Sequence, residues 1–593
     1  MKLVLPLLLL FVLAGCLFFA GLGSLPLLEP DEGRNAEVAR EMLASGDWIT
    51  PHYNALPYLD KPAFFFSLVA SSFKVAGLHE WSARAPSALM GLCLLLLTWF
   101  LARRMFGDST AVRAAVVIAT APLMMMFSRL VIFDMTLAFL ITLAMVSFWF
   151  AEAAEFRRPG LDILMFLAMG LATITKGPVG FLLPLLSITV YQALRGKLRE
   201  LKRLRWGLGC AVFLAAVLPW FISISIRYPD FPRYALLEES LARFSGGLVH
   251  RKGGLLYYFP VYLAGFFPWS IFLLWAGWNR HKQWKEIRLE RNRLFLLTWS
   301  AVTFVFFSLS QSQLPGYFLP AIVPLGILMA KAWDDVASRG LIRSPDWLTA
   351  GFASLLGVGL IVAASSQLAM FSSARSPLAR KVYPAIFPML KPSILYTGLI
   401  LAALAIVGRN IAARTRARSL SVAAFALLAV TTPMLLVRWV VPLRAYAETN
   451  SSRRLADTIL SSPERGLPIY GYYYFRTSLP FYLRRPVGLV TTGLNELTSN
   501  YLAWRVRAIR QRSSLEAGPK VLSRTFKDLD PLPAEQRRLL DILELIELTR
   551  SVSQPRLILV RNTHVSLLAH DVGRVEPLWA GWDYSVWKVP GKK

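Results

Sequence analysis

The sequence has little of what builds disulfide frameworks, metal sites or acidic surfaces. It contains 3 Cys and 6 His in 593 residues, and its 36 Asp and Glu are outnumbered by 65 Lys and Arg. Cys16, Cys93 and Cys210 lie inside apolar runs, where cysteine behaves as a small hydrophobic residue. The histidines show no metal-ligand spacing, and the sequence has no P-loop, dinucleotide-binding glycine motif or Ser-His-Asp pattern. These absences exclude a disulfide scaffold, a zinc fold and the common nucleotide-dependent or triad enzymes.

The sequence is rich in apolar residues instead. Hydrophobic residues make up 55% of the chain, which also has 18 Trp, and this composition is typical of a membrane protein. In a soluble protein the formal net charge of +29 would suggest nucleic acid as a partner. Here the basic residues cluster in short loops between apolar runs. We therefore expect membrane lipids as partners and no nucleic acid.

Thirteen apolar runs are long enough to span a bilayer. The first run begins with "MKLVLPLLLLFVLAGC", which has the form of a lipoprotein signal cleaved before Cys16. Because the run continues to a spanning length of about 20 residues, we interpret it as a retained helix. The predicted spans are residues 4–22, 83–101, 112–128, 133–151, 161–175, 178–194, 207–226, 259–278, 294–309, 317–332, 348–369, 393–408 and 420–440.

The distribution of positive charge supports this count. Residues 195–206 and 279–293 carry six Lys and Arg each, and residues 409–418 carry four. With a cytoplasmic N-terminus and thirteen spans, all three loops are cytoplasmic, as the positive-inside rule requires. To keep this arrangement, residues 62–76 are predicted to form an interfacial helix, and residues 161–194 to form two spans broken at Gly177-Pro178.

The predicted fold is therefore an α-helical polytopic membrane protein with a C-terminal α/β domain. Residues 1–441 form the membrane domain, with external loops at residues 23–82 and 227–258. Residues 442–593 are less apolar and contain strand-like and helical runs, which favour a small α/β domain on the outer face. The segments with unusual chemistry all emerge on that face.

The first external segment contains "LEPDEGRNAEVAREML", residues 28–43. Its apolar stripe predicts an amphipathic helix on the outer membrane interface, with Glu37, Arg40 and Glu41 off the stripe. The stripe consists of Ala36, Ala39, Met42 and Leu43.

The head of this helix carries two adjacent carboxylates, Asp31 and Glu32. In one interpretation Asp31 caps the helix and Glu32 complements the helix dipole. In the other, the two carboxylates, with Arg34 nearby, hold an acceptor hydroxyl or a divalent metal ion.

Three further positions combine charge with an apolar context. Asp60 and Lys61, in "YLDKP", form either a solvated pair or a place where an ammonium binds a phosphate. Asp134 opens an apolar run, where an ionisable group either pairs with Arg129 or marks a site. Lys176 ends a span and either snorkels to the surface or binds phosphate.

The external loop 227–258 and the segment "SQSQLPGYFLP" supply the remaining candidates. Glu239 and Arg243 have the spacing of a helical ion pair. His250 and Arg251 belong to a basic cluster beside two glycines, which could close over an anionic headgroup. Tyr317 either belongs to a turn or contacts a lipid headgroup. Tyr257 and Tyr258 are predicted at the membrane interface.

These motifs have a recognisable pattern. "PDEGRNAEVAREMLASGDWITPHYNALPYLDKP", "TKGPVG", "LPGYFLP" and "YYYFRTSLPFYLRRPV" resemble the bacterial polyprenyl-phosphate-sugar glycosyltransferases of the protein-mannosyltransferase superfamily, especially the lipid A aminoarabinose (4-amino-4-deoxy-L-arabinose) transferases. The resemblance implies the GT-C fold. It also implies inverting transfer from a polyprenyl (undecaprenyl) monophosphate sugar to lipid A or another envelope glycan. The reaction would take place on the periplasmic face of a bacterial inner membrane.

The resemblance also implies roles for individual residues. Asp31 matches the essential acid of the first loop and would be the general base for a hydroxyl acceptor, while Asp134 would be the second acid. The donor phosphate would be held by Lys61, Lys176, Arg243 and Arg251. Supporting residues would be Glu32, Arg34, Asp60, Glu239, His250 and Tyr317.

The chain departs from the family pattern at three positions. Asp60 stands where Glu is common, Ser240 follows Glu239 where His is common, and Gln313 stands where Lys is common before "LP". The missing cation at Gln313 leaves the identity of the sugar and the acceptor open. No cofactor is implied with certainty, and a divalent metal ion remains an open alternative.

Two other functions stay open at this point. A protein O-mannosyltransferase would share the donor chemistry, but the external domain shows no repeated β-trefoil-like pattern. A lipid or sugar transporter or flippase would place ionisable residues near the bilayer midplane and would show repeated halves, and neither is visible in the sequence.

The thirteen-span arrangement can be tested with a reporter enzyme fused after residue 593. We expect the reporter to be active only outside the cytoplasm, because an odd number of spans places the two termini on opposite sides. Activity in the cytoplasm would contradict the arrangement.

Overall fold

A computed structural model describes most of the chain. The described residues are 4–242, 254–280, 290–338, 396, 417–512, 519–533 and 536–591. They belong to two compact units. The first unit lies within Met1–Leu22, Arg84–Leu368 and Met389–Val440, and the second lies within Gly23–Ala83, Ala369–Pro388 and Val441–Lys593. The first external segment of the sequence thus folds in one unit with the C-terminal block.

Long apolar helices dominate the first unit. In lipid every backbone polar group must be satisfied within the protein, so an apolar run of spanning length folds as a helix. Six helices in the described part of the chain are long and apolar enough to cross a membrane, and a seventh is added if the bent pair Ser421–Val437 and Trp439–Thr449 is one span. The six are Glu80–Phe106, Phe133–Ala153, Pro159–Lys176, Trp206–Arg227, Arg291–Leu309 and Pro315–Ser338.

The count of thirteen spans remains a prediction. Two of the predicted spans, residues 348–369 and, apart from residue 396, residues 393–408, lie outside the described residues. The shorter pieces of the first unit are Val4–Ala14, Gly15–Phe19, Asp108–Ala119, Pro122–Phe127, Val179–Leu194, Leu198–Arg203, Phe231–Arg233, Tyr234–Ala242, Tyr258–Gly265 and Trp269–Arg280. The last long helix is Ala417–Thr449.

Proline and glycine explain the broken spans. The predicted break at Gly177-Pro178 is confirmed, since one helix ends at Lys176 and the next begins at Val179. Gly177 has a φ of 88°, which a residue with a side chain rarely adopts. The predicted span 112–128 is also divided, because Pro122 restricts Ala121 to an extended conformation.

A buried carboxylate joins several helix ends of the first unit. Glu152, near the end of Phe133–Ala153, pairs with Arg195 and with Arg291 at 3.0 Å. It also accepts hydrogen bonds from the Tyr191 hydroxyl at 3.1 Å and the Gln192 amide at 2.9 Å. Arg195 and Arg291 come from the two most basic loops, so part of the excess positive charge neutralises a buried acid.

The second unit contains the two sheets of the described chain. The strands are β1 (His52–Tyr53), β2 (Leu56–Pro57), β3 (Ile469–Tyr472), β4 (Gly488–Val490), β5 (Leu539–Leu540), β6 (Arg556–Arg561), β7 (Glu576–Ala580) and β8 (Tyr584–Val589). β1 and β2 form a hairpin, and the other six form one sheet in the order β5-β4-β3-β6-β8-β7. β3 to β6 are parallel, whereas β7 and β8 are antiparallel to their neighbours.

Alternating apolar residues of the six-stranded sheet form a buried core that includes Tyr472, Val490 and Val560. The second unit also contains helices. The helices are Asp31–Ser45, Phe64–Ala76, Arg453–Ser461, Leu479–Leu483, Asn500–Arg512, Pro519–Leu529, Ile542–Ser551 and Val565–Val572.

The Glu152 cluster yields a stability prediction. Glu152→Gln should lower the free energy of unfolding by about 3 kcal/mol, because breaking a buried ion pair leaves its cations uncompensated. Chemical unfolding in detergent micelles measures the change. Glu155→Gln is the control, since Glu155 is 65% exposed in its pair with Arg157, and it should change stability by less than about 0.5 kcal/mol. Equal effects of the two variants would contradict the prediction.

Candidate functional site

The helix Asp31–Ser45 is buried on more than its apolar stripe. Glu37, Arg40 and Glu41, which lie off that stripe, are buried as well, so the helix does not have the exposed polar face of an amphipathic helix. Its place on the outer membrane interface stays a prediction. Arg40 donates two hydrogen bonds to Glu37, at 2.7 and 2.8 Å, and the Ala55 N–H donates to Glu41 at 2.8 Å. Burial, followed by the charge of Glu37, raises the pKa of Glu41 well above its ordinary value.

Asp31 is the accessible acid at the head of this helix. It is the first helical residue, its side chain is 52% exposed, and it pairs with Arg34 at 2.5 Å. The capping interpretation is wrong, because Pro30 occupies the N-cap position and no side chain caps the helix. Glu32 is buried and accepts a hydrogen bond from the Leu28 N–H at 3.1 Å. The two adjacent carboxylates therefore have different surroundings.

Arg34 is fixed by contacts in addition to Asp31. Its Nη1 donates to the Thr498 hydroxyl at 3.0 Å, and its guanidinium carbon lies 5.6 Å from the centre of the Tyr58 ring. A guanidinium held on both sides keeps a fixed direction. Arg34 therefore determines where the Asp31 carboxylate points.

Asp60 has a structural role that sequence reasoning missed. Its buried carboxylate accepts hydrogen bonds from the Asn500 and Tyr501 N–H groups, both at 2.7 Å, at the start of the helix Asn500–Arg512. Carboxylates are favoured at this end of a helix because of its dipole. Asp60 is thus not a solvated partner of Lys61. The Lys61 ammonium donates to the Asp60 carbonyl oxygen at 2.9 Å.

Glu29, two residues before Asp31, is a heavily hydrogen-bonded carboxylate, and sequence reasoning missed it. It accepts hydrogen bonds from the N–H and hydroxyl of Thr477, both at 2.5 Å, and from those of Ser478, at 2.9 and 2.5 Å. The Ser452 hydroxyl donates at 3.0 Å, and Arg476 Nε lies 3.6 Å away. Burial opposes its charge, but Arg476 and these hydrogen bonds outweigh burial and lower the pKa of Glu29.

The first unit contains a second acid and base pair. Asp134, in the first turn of Phe133–Ala153, binds Lys176, the last residue of Pro159–Lys176, at 2.5 Å. Both side chains are largely buried, at 8% and 11% exposed. The predicted alternative of a pair with Arg129 is wrong, because Arg129 donates to the Leu17 carbonyl oxygen at 3.2 Å.

Tyr317 and Gly316 complete the surroundings of this pair. The Lys176 ammonium lies 4.2 Å from the centre of the Tyr317 ring, within cation-π range. A Cβ on Gly316 would lie 2.8 Å from the Asp134 carboxyl carbon and 2.5 Å from Phe127, so only glycine fits without displacement. Sequence reasoning assigned "LPGYFLP" to a turn and did not identify this close approach.

Two side chains at this turn donate hydrogen bonds to backbone carbonyl oxygens. Tyr258 is fully buried in the protein and donates to the Leu314 carbonyl oxygen at 3.2 Å, while its place at the membrane interface stays a prediction. Gln313 is buried and donates to the carbonyl oxygens of Gly254 and Ser308, both at 3.2 Å. It fixes the turn without supplying the positive charge of a lysine.

The structure describes only part of loop 227–258. Glu239 accepts a hydrogen bond from the Tyr234 hydroxyl at 3.4 Å. Arg243, His250 and Arg251 lie outside the described residues, and so does the predicted pair of Glu239 with Arg243. Within the described ranges, no group of three or more His, Cys, Asp or Glu side chains is placed to hold a metal ion.

The contact between Gly316 and Asp134 gives a second stability prediction. Gly316→Ala should lower the free energy of unfolding by about 1–3 kcal/mol, because the added methyl displaces Asp134 or Phe127 in a packed interior. Gly160→Ala is the control, since no atom lies within 4 Å of its Cβ position, and it should change stability by less than about 0.5 kcal/mol. Unfolding in detergent measures both variants, and a Gly316→Ala protein as stable as the control would contradict the assignment.

Comparison with protein families and solved structures supports the resemblance found in the sequence. Residues 3–235 match the family model described as "Dolichyl-phosphate-mannose-protein mannosyltransferase". An undecaprenyl phosphate-alpha-4-amino-4-deoxy-L-arabinose arabinosyl transferase of Aeromonas hydrophila is 32% identical over 350 residues, which cover 58% of this chain and 63% of the relative. The corresponding transferase of Pseudomonas aeruginosa is 31% identical over 63% of this chain and 66% of its own length.

The chain thus spans a little under two thirds of these curated relatives. The structural likeness extends further. The crystal structure of ArnT from Cupriavidus metallidurans bound to undecaprenyl phosphate superposes with a TM-score of 0.79 and 26% identity, covering 99% of both chains. The apo form of that protein gives a TM-score of 0.77. The chain is therefore a multi-pass membrane protein of the GT-C fold, and it is similar to the undecaprenyl phosphate aminoarabinose transferases.

Proposed function

We propose that this protein is an inverting glycosyltransferase that moves a sugar from undecaprenyl monophosphate to lipid A or another envelope acceptor. The observation that carries the proposal is the likeness, over 99% of both chains, to ArnT bound to undecaprenyl phosphate. The curated relatives, named as aminoarabinose transferases that use an undecaprenyl phosphate donor, support it.

The reaction breaks one bond and forms one bond at the same carbon. The acceptor oxygen attacks the anomeric carbon from the face opposite the phosphate, and the bond between that carbon and the phosphate oxygen breaks. The electron pair stays on the phosphate, so undecaprenyl phosphate leaves and the configuration of the sugar inverts. Cations around the phosphate stabilise the charge that develops on the leaving group.

Lys176 is a proposed ligand of the donor phosphate. Its ammonium is held in place by Asp134 and lies near the ring of Tyr317. A cation in a largely buried position interacts more strongly with an anion than one in water. Asp134 thus serves to orient the cation. Lys61, fixed through the Asp60 carbonyl oxygen, is proposed in the same role, and Arg243 and Arg251 remain predicted ligands.

Asp31 is the proposed general base for a hydroxyl acceptor. Its carboxylate is accessible and is held by Arg34, as a base that must reach a bound hydroxyl requires. A phosphate acceptor is already an anion and needs no base. With such an acceptor Asp31 would position the sugar or a divalent metal ion.

We also propose that the protein resides in a bacterial inner membrane with a cytoplasmic N-terminus and a periplasmic C-terminal domain. The positive charge of the loops supports this orientation. Asp134 and Glu152 lie at opposite ends of Phe133–Ala153, and Glu152 binds arginines of the basic loops. The Asp134 end would then face the periplasm.

A protein mannosyltransferase is the second candidate. The match of residues 3–235 to the family model of dolichyl-phosphate-mannose-protein mannosyltransferases favours it. Both candidates share a polyprenyl-phosphate donor and differ in the acceptor, so the product distinguishes them.

Mass spectrometry of lipid A, other envelope glycans and membrane proteins tests the proposal. Cells with the protein should carry a sugar on lipid A or another envelope glycan that is missing from cells without it. Mannose on proteins would favour the second candidate, and the absence of any difference would contradict transfer altogether.

The same assay tests Asp31. For a hydroxyl acceptor, Asp31→Asn should lower transfer by at least about 10²-fold, the usual contribution of a general base. Asp457→Asn is the matched control, because Asp457 is an exposed carboxylate of the same unit. Wild-type transfer by Asp31→Asn at equal expression would refute the role of Asp31.

A further inference from the structure

We infer that Glu29 is a positioning residue that fixes Asp31 for the reaction. The inference rests on the proposed function, because it gives Asp31 a role in transfer. The geometry behind it is that Glu29 and Gly33, on either side of Asp31 in the chain, both lie against the turn that follows β3.

The turn after β3 lies at a switch point of the sheet. The chain passes from β3 to β4 and β5 on one side and then returns to β6 on the other side. In open α/β sheets, ligands bind outside the carboxyl ends of the strands at such a point. Here the donors of this turn, the N–H and hydroxyl groups of Thr477 and Ser478, hold the carboxylate of Glu29.

The backbone of Glu29 is also held by hydrogen bonds. Its N–H donates to the Asn450 carbonyl oxygen, and the Asn450 amide donates to the Glu29 carbonyl oxygen, both at 3.0 Å. The Thr477 hydroxyl oxygen also lies 2.7 Å from the carbonyl oxygen of Pro30, so its one proton is shared between that oxygen and the Glu29 carboxylate. The residue directly before Asp31 is therefore bound to the same turn.

Gly33 fixes the chain on the other side of Asp31. A Cβ on Gly33 would lie 2.5 Å from Ser478 Cβ and 2.7 Å from its nitrogen, so the helix approaches the turn as closely as backbone allows. Asp31 projects from a segment that is clamped at positions 29, 30 and 33. Its carboxylate can then be directed by Arg34 without movement of the backbone.

Loss of the Glu29 charge should weaken the hydrogen bonds that hold the segment before Asp31 in place. Hydrogen bonds to an ionised acceptor are about twice as strong as neutral ones. A glutamine at this position would turn an amide group toward donors that need an acceptor. A displacement of a catalytic group by about 1 Å can lower a rate by about 10²-fold.

The experiment uses the purified full chain in detergent, with undecaprenyl phosphate aminoarabinose as donor and lipid A as acceptor. Glu29→Gln should lower kcat by about 10²-fold and leave KM within about twofold, since substrate contacts are kept. The double variant Glu29→Gln with Asp31→Asn should be as slow as Asp31→Asn alone, because both act through one carboxylate.

Asp541→Asn is the matched control. Asp541 is another buried carboxylate of the same unit that accepts a backbone hydrogen bond, from the Glu544 N–H at 2.8 Å, and it lies in no proposed site. It should leave kcat unchanged. Should Glu29→Gln fail to fold, Thr477→Val, which removes one hydroxyl donor, should give the same kcat pattern with a smaller loss.

The possible outcomes separate the inference from the proposed function. A wild-type kcat for Glu29→Gln, or an additive loss in the double variant, would overturn the inference while Asp31→Asn stays inactive. An equal loss of kcat in Asp541→Asn would reduce Glu29 to a stabilising residue and overturn it as well. A fully active Asp31→Asn would instead contradict the role of Asp31 in the proposed function.

Discussion

A carboxylate removed from water must find a cation or a set of hydrogen-bond donors, and both units of this protein are organised around that requirement. Glu152 forms ion pairs with two arginines and accepts hydrogen bonds from a tyrosine and a glutamine. Glu29 collects backbone and hydroxyl donors from one turn. Because an unpaired buried charge is costly, each of these contacts restricts how the surrounding elements can be arranged.

The same requirement separates structural acids from reactive ones. Asp60, Glu37 and Glu32 are buried, and their hydrogen bonds are made within the fold. Asp31 differs because half of its side chain is exposed while its backbone is held on both sides. A carboxylate that is accessible and also fixed is suited to act on a bound molecule. The surrounding acids provide the fixed position.

Sequence patterns predicted the membrane class and the break at Gly177-Pro178, because these depend on local composition and on residues with special backbone behaviour. The GT-C fold was implied by the resemblance of the quoted motifs to a known family. Sequence patterns did not predict the burial of Glu37 and Glu41. Helical periodicity marks which residues share a face, but it cannot show that a second layer covers the polar face as well. The donors that the structure shows for the Glu29 and Asp60 carboxylates lie more than 400 positions away in the sequence, so no local pattern could reveal them.

The attraction between Asp134 and Lys176 does not by itself determine which of the two helix ends carries the acid and which carries the base. Asp134 stands in the first turn of one helix, and Lys176 is the last residue of another. The N-terminal end of a helix favours an anion and the C-terminal end favours a cation, so each side chain is also stabilised by its own backbone. Exchanging the two residues would keep the ion pair, but each charge would then be disfavoured by the dipole of its own helix. The polarity of this charge pair is therefore fixed by the orientation of the two helices that carry it.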